Sequence, residues 1–135
     1  MTTMKKILFL CVHNSGRSQM AEAFVNQLAK DKVVAISAGM DPATRVNATV
    51  VAAMHELGID IGKQEPKLLT LEMLEGAYRV ITMGCSVAEV CPASFIPTED
   101  WDLDDPEEKS IQDVRKIRDQ IKTKVEVLIR ELDSI

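Results

Sequence analysis

Apolar and polar residues alternate along the chain in blocks that predict strands followed by helices. Residues 5–11 place a continuous apolar run after two lysines, which is typical of a buried strand in a parallel sheet. Over residues 20–28 the apolar positions recur at one-, three- and four-residue intervals, which predicts an amphipathic helix. The apolar run at 33–37 predicts a second strand.

The alternation continues through the middle of the chain. Helical spacing predicts a helix over 46–57, with Gly58 as its C-cap. A short helix is predicted over 70–74 and a third strand over 78–83.

The last part of the chain combines an irregular stretch with a long apolar stripe. Residues 84–109 are predicted as a long loop, and Ser110 is the predicted N-cap of a helix over 111–132. Strands alternating with helices predict a three-layer α/β fold around a small parallel sheet. Ligands of such sheets bind beyond the carboxyl ends of the strands, so we expect Cys11 and Cys85 at the same rim.

Composition and charge restrict the possible functions. The 135 residues suit one domain over 1–135. A net charge of -5 argues against nucleic acid or an anionic membrane as the main partner. No apolar run is long enough to span a membrane and no signal peptide is recognisable, so we expect a cytoplasmic protein. There, three cysteines favour reactive free thiols, with ordinary core packing as the alternative for each.

A short polar loop joins the first strand to the first helix. Cys11 ends the strand, and Arg17 stands near the start of the helix, where unpaired backbone N–H groups favour an anion. Arg17 adds a planar fork of donors, and the same field favours the nucleophilic thiolate of Cys11. The alternatives are a structural cysteine or an ATP-binding loop, although the Gly-x4-Gly-Lys-Ser/Thr pattern is absent. The predicted oxyanion-binding residues are Val12, His13, Asn14, Ser15, Gly16, Arg17 and Ser18.

This loop resembles the signature of the low-molecular-weight protein tyrosine phosphatase family, which includes arsenate reductases. The matching segments are Cys11-Val12-His13-Asn14-Ser15-Gly16-Arg17-Ser18, Gln19-Met20-Ala21-Glu22-Ala23-Phe24, Ser37-Ala38-Gly39, Gly58-Ile59-Asp60-Ile61 and Asp105-Pro106. The resemblance implies a four-stranded parallel sheet with helices on both faces. It also implies a covalent intermediate on Cys11 and oxyanion binding by the loop amides and Arg17.

The resemblance further implies a proton donor in the acidic stretch before the last helix. Asp105, directly before Pro106, is the expected acid, and Asp104 is the alternative. In the phosphatases of the family, aromatic residues follow this Asp-Pro pair, whereas here 107–109 read Glu-Glu-Lys. We therefore expect a small inorganic substrate, arsenate, with phosphate or sulfate as competing anions.

Cys85 and Cys91 are the residues that distinguish a reductase from a phosphatase within the family. They could pack in the core or, with the two histidines, form part of a zinc site. The sequence has no CxxC pair and no third clustered ligand, so it does not predict a metal. Our hypothesis is a relay in which Cys85 attacks the sulfur of Cys11, arsenite leaves, and Cys91 then attacks Cys85. Helical spacing would separate the pair by about 9 Å along the axis, so the segment must open to form a disulfide.

Some relatives hold potassium through residues matching Asn14, Glu22 and Ser37 plus a nearby acid. Alignment through 58–61 puts Lys67 where that acid is expected. A lysine ammonium could replace the cation, so potassium binding stays open.

The sequence thus predicts a monomeric, cytoplasmic arsenate reductase without a bound cofactor. By resemblance its reductant is thioredoxin or, as in some relatives, a low-molecular-weight thiol. The main alternative is a phosphatase that hydrolyses phosphotyrosine or small phosphoesters through a Cys11 phospho-enzyme. A regulator that binds oxyanions or senses redox state without turnover is a further alternative.

Overall fold

A parallel sheet forms the centre of the molecule in the computed structural model, which describes residues 5–83 and 98–133. The strands are β1 (Lys5–Cys11), β2 (Val33–Gly39), β3 (Arg79–Thr82) and β4 (Thr98–Asp100). They stand in the order β2-β1-β3-β4, and each pairs in parallel with its neighbour.

Alternating side chains of β1 divide the core between the two faces of the sheet. The helices are α1 (Arg17–Leu28), α2 (Ala48–His55), α3 (Leu71–Glu75) and α4 (Ile111–Asp133). Ile7 and Phe9 belong to the larger cluster, which contains buried residues of α1, α2 and α4. Leu8 and Leu10 belong to a smaller cluster against which α3 residues pack. The predicted four-stranded parallel sheet with helices on both faces is confirmed.

Side-chain caps fix where several helices begin. The hydroxyl of Ser110 accepts the N–H of Asp113 at 3.2 Å at the start of α4, as the sequence predicted. The helix predicted over 46–57 is shorter, because the Asn47 side chain accepts two N–H groups of the first turn and makes Ala48 the first helical residue. No helix among the described residues is long and apolar enough to cross a membrane.

The loop predicted over 84–109 contains a strand, so that prediction was wrong at β4. Glu99 accepts hydrogen bonds from Arg79 at 2.6 Å and from the Trp101 indole at 2.7 Å. Trp101 is buried, with its ring centroid 5.5 Å from that of Phe9. The strand is short, lies at the sheet edge and is acidic, and edge strands commonly carry charges. Residues 84–97, which include Cys85 and Cys91, lie outside the described part of the chain.

Candidate active site

Three backbone carbonyls of the polar loop accept hydrogen bonds from the segment that follows β2. Because the C=O and N–H of a trans peptide point in opposite directions, the N–H groups of these three peptide units face the hollow of the loop. The first turn of α1 adds N–H groups without intrahelical partners. The bonded loop carbonyls are Val12 O with Asp41 N–H at 2.9 Å, His13 O with Ala43 N–H at 3.0 Å, and Ser15 O with Asn47 N–H at 2.9 Å.

Gly39 leaves room for the loop at the end of β2. A methyl group there would lie 2.6 Å from the carbonyl oxygen of Val12 and 3.0 Å from the amide nitrogen of Asn14. Both atoms are backbone, so a side chain at Gly39 would push the loop out of place.

The sulfur of Cys11 lies among hydrogen-bond donors. It accepts the N–H of Asn14 at 3.2 Å and lies 2.8 Å from the hydroxyl oxygen of Ser18. The Asn14 side-chain amide donates to that oxygen at 2.7 Å, so the hydroxyl hydrogen is free to point at the sulfur. Cys11 is only 3% exposed. This arrangement provides donors of the kind that a thiolate accepts.

Asn14 holds the loop in an unusual conformation. Its φ is 50°, in the left-handed region that Asn tolerates better than most residues. Its side-chain oxygen accepts the Lys67 N–H at 2.8 Å and the Gln19 amide at 3.1 Å. Gln19 also donates to the Glu65 carbonyl at 3.3 Å, and its own Oε1 is buried without a partner in the described residues. Sequence reasoning missed Gln19, whose one signal was a polar residue beside the loop.

Arg17 of the loop lies close to the carboxyl group of Asp105. Arg17 is 7% exposed and donates from Nη1 to the carbonyl of Leu103 at 3.2 Å. Its Nη2 lies 3.8 Å from Oδ2 of Asp105, a carboxyl that is half exposed. The other carboxyl oxygen accepts the N–H of Glu107 at 3.0 Å. Asp104 is also exposed but lies on a neighbouring surface hollow with residues of α4.

An ammonium group lies beside the residues matched to the potassium site of some relatives. Oε1 of Glu22 accepts the hydroxyl of Ser37 at 3.1 Å and lies 3.6 Å from Nζ of Lys67. In residues 5–83 and 98–133, no group of three or more His, Cys, Asp or Glu side chains is arranged to hold a metal ion.

A family model described as low molecular weight phosphotyrosine protein phosphatase matches residues 6–134. The chain belongs to this family. Within it, curated relatives are named as reductases. A putative arsenate reductase of Halobacterium salinarum is 38% identical over 95% of this chain and 93% of its own length. A glutaredoxin arsenate reductase of Synechocystis is 37% identical over 96% of this chain and 99% of its own.

Solved structures of arsenate reductases and of a phosphatase are similar to this chain in fold. An arsenate reductase in a phosphate-binding state has a TM-score of 0.83 at 38% identity, covering 96% of this chain and 99% of that one. A thioredoxin-dependent arsenate reductase of Corynebacterium glutamicum scores 0.79 at 32% identity, covering 98% and 63%. An arginine phosphatase of Geobacillus stearothermophilus scores 0.84 at 26% identity, covering 96% and 94%. Both reductases and phosphatases therefore share this architecture.

Proposed function

We propose that this protein reduces arsenate to arsenite. The observation that carries the proposal is that the loop holding the Cys11 sulfur also carries Arg17, whose guanidinium lies 3.8 Å from the Asp105 carboxyl. Relatives 37–38% identical over nearly the whole chain, which are named arsenate reductases, support the choice of substrate.

The first step is attack by the Cys11 thiolate on As(V). The S–As bond forms as one As–O bond breaks, and Asp105 protonates the leaving oxygen, which departs as water. Arg17 and the inward-facing amides hold the remaining oxygens. The same attack on phosphorus would give a phospho-enzyme, so a phosphatase is the second candidate, and the arginine phosphatase of the same fold favours it.

The second step reduces arsenic. The Cys85 thiolate attacks the Cys11 sulfur, and the S–As electron pair passes to arsenic, which leaves as As(III) while a Cys11–Cys85 disulfide forms. Cys91 then attacks Cys85 and frees the Cys11 thiolate. The end of β3 supports Cys85 as the first of the two cysteines to react. Met83 donates its N–H to the carbonyl of Leu10, the residue before Cys11, at 2.7 Å, and Cys85 follows Met83 by two residues in the sequence.

Reducing equivalents must then come from outside the chain. We assign thioredoxin as the dithiol that opens the Cys85–Cys91 disulfide, in the cytoplasm, where thiols are kept reduced. The names of two relatives, which specify glutaredoxin and thioredoxin, support a thiol protein in this role. The Lys67 ammonium beside Glu22 supports turnover that needs no potassium.

The test is arsenate-dependent oxidation of NADPH through thioredoxin reductase and thioredoxin. We expect turnover in the wild type, none in Cys11→Ser, and loss of multiple turnover in Cys85→Ser and Cys91→Ser. The Cys91→Ser variant should stop after one turnover with a Cys11–Cys85 disulfide that mass spectrometry detects. If arsenate is not turned over while phosphoester hydrolysis survives in Cys85→Ser and Cys91→Ser, the protein is a phosphatase.

A further inference from the structure

The loop of residues 11–18, which we call the oxyanion loop, contacts residues 105–109, the acid segment. The contact lies at Gly16, which has no side chain. A methyl group at Gly16 would lie 2.6 Å from Cγ and 3.5 Å from Cδ of Pro106. Carbon atoms in favourable contact are about 3.5–4.0 Å apart, so no side chain fits between the two residues. Pro106 is buried although Asp105 and Glu107 beside it are exposed. The proline ring therefore rests on the backbone of Gly16, directly before Arg17.

The segment around Pro106 is a bonded turn, so a displaced proline displaces its neighbours. The Glu107 N–H donates to the Asp105 carboxyl at 3.0 Å, and the Lys109 N–H donates to the Pro106 carbonyl at 3.2 Å. The proline ring also fixes its own φ. Asp105 itself lies 3.8 Å from Nη2 of Arg17, too far for a hydrogen bond. Packing of Pro106 against Gly16 therefore joins this turn to the loop that carries Arg17.

We propose that Gly16 and Pro106 are positioning residues, and that their contact sets the place of the Asp105 carboxyl relative to the bound oxyanion. This inference rests on the role of Asp105 in the proposed function. It separates two properties of the site. The missing side chain of Gly16 lets Pro106 hold the acid in place, whereas the backbone amides of the loop, which an alanine at position 16 would keep, and Arg17 hold the anion without Pro106.

The test substitutes the two positions singly and together. Gly16→Ala should push Pro106 and Asp105 outward by about 1 Å, and a misplacement of that size costs about 10²-fold in rate. We expect kcat for arsenate to fall by about that factor, while the dissociation constant of phosphate, measured by calorimetry, changes less than about 3-fold. Pro106→Ala removes Cγ and Cδ, so adding it to Gly16→Ala should restore kcat at least about tenfold. A loss of phosphate affinity equal to the loss of kcat, or no rescue, overturns the inference.

Gly62→Ala is the matched control. A methyl group at that exposed glycine would meet the Asp60 carboxylate at 3.2 Å and Val51 at 3.5 Å, with no atom of the loop within 4 Å, so kcat should change less than about 2-fold.

Two further measurements keep the inference independent of the proposed function. If the wild type does not turn over arsenate, the same four variants are assayed with phenyl phosphate, whose leaving oxygen also needs a proton, and the same rescue is expected. Melting temperatures give a reading without activity. The double variant should melt no lower than Gly16→Ala, because its overlap has been removed, whereas additive losses would overturn the contact.

Discussion

Two buried arginines in this molecule have opposite surroundings. Arg17 is 7% exposed and Arg118 is 8% exposed. Arg118 donates to the Ala53 carbonyl at 2.9 Å, to Glu56 at 2.7 Å and to Asp119 at 2.9 Å. Among the described residues, the contacts of Arg17 are fewer and longer, at 3.2 Å to a carbonyl and 3.8 Å to a carboxylate. Burial alone does not separate the two side chains, but their partners do.

The difference follows from what each guanidinium has to neutralise. A buried charge costs free energy unless donors and acceptors around it are satisfied. Arg118 meets that requirement within the protein and links α2 to α4. Arg17 keeps part of its planar fork for a ligand, and a tetrahedral oxyanion supplies the missing acceptors. The comparison predicts that Arg17 matters to catalysis and Arg118 to stability.

The largest expected effect is that of Arg17→Lys. A lysine keeps the charge but cannot contact two oxygens in one plane, so kcat/KM should fall by about 10³-fold, or about 4 kcal/mol of transition-state stabilisation. The melting temperature should change little. Arg118→Lys is the control, and it should show the reverse pattern. The comparison fails if Arg17→Lys costs more in melting temperature than Arg118→Lys does.

Next in size is Asp105→Asn, which keeps the shape of the side chain but removes the proton. We expect kcat to fall by about 10²-fold, with the dissociation constant of phosphate changed less than about 3-fold, because the amide keeps the shape of the carboxyl group. Steady-state kinetics and calorimetry measure the two quantities. Asp104→Asn is the control, since Asp104 lies on a separate hollow. A larger loss in Asp104→Asn would assign the acid to that residue instead.

The two arginines also show which part of the site can be predicted from the sequence. Arg17 was identified because the oxyanion loop is local, with strand end, loop and helix start inside eight residues. Arg118 was not, because its partner Glu56 is 62 residues away on another helix. Gln19 was missed for the same reason, since it reaches a carbonyl 46 residues away.

The fold was predictable to a similar depth. Apolar patterns predicted β1 and α4 nearly to the residue, because burial on both faces makes the run of β1 continuous and burial on one face of α4 imposes a strict spacing. For α1 the apolar pattern begins at residue 20, three residues after the observed start at Arg17. The three-residue β4 has no room for such a period, and its pairing with β3 comes from the tertiary structure. The roles of Cys85 and Cys91 stay predictions, to be tested by the serine variants.

Arg118→Met tests the structural side of the comparison. The change leaves the Ala53 carbonyl without its charged donor, so we expect the free energy of unfolding to fall by about 1–3 kcal/mol. The kcat/KM for arsenate should stay within about 2-fold. Urea denaturation measures the first quantity and the coupled assay the second. Arg115→Met is the control, because Arg115 contacts the same Glu56 from a more exposed position and should cost less stability. Equal losses of unfolding free energy in the two variants would mean that the burial of Arg118 adds nothing to the stability.

The smallest expected effect concerns Glu56 at low pH. Hydrogen bonds from Arg115 and then Arg118 lower the pKa of Glu56 from 4.5 to about 2. The unfolded chain therefore takes up this proton first as the pH falls. The stabilisation is complete above about pH 4.5 and is lost as the pH falls towards 2. The stability of Glu56→Gln lacks this dependence. The amount by which this variant melts below the wild type, its deficit, should therefore shrink as the pH is lowered from about 5 to about 3. Because Glu56 is partly exposed, added salt should reduce the deficit at neutral pH. A deficit that is the same at both pH values would show that the carboxylate charge does not stabilise the contact between α2 and α4.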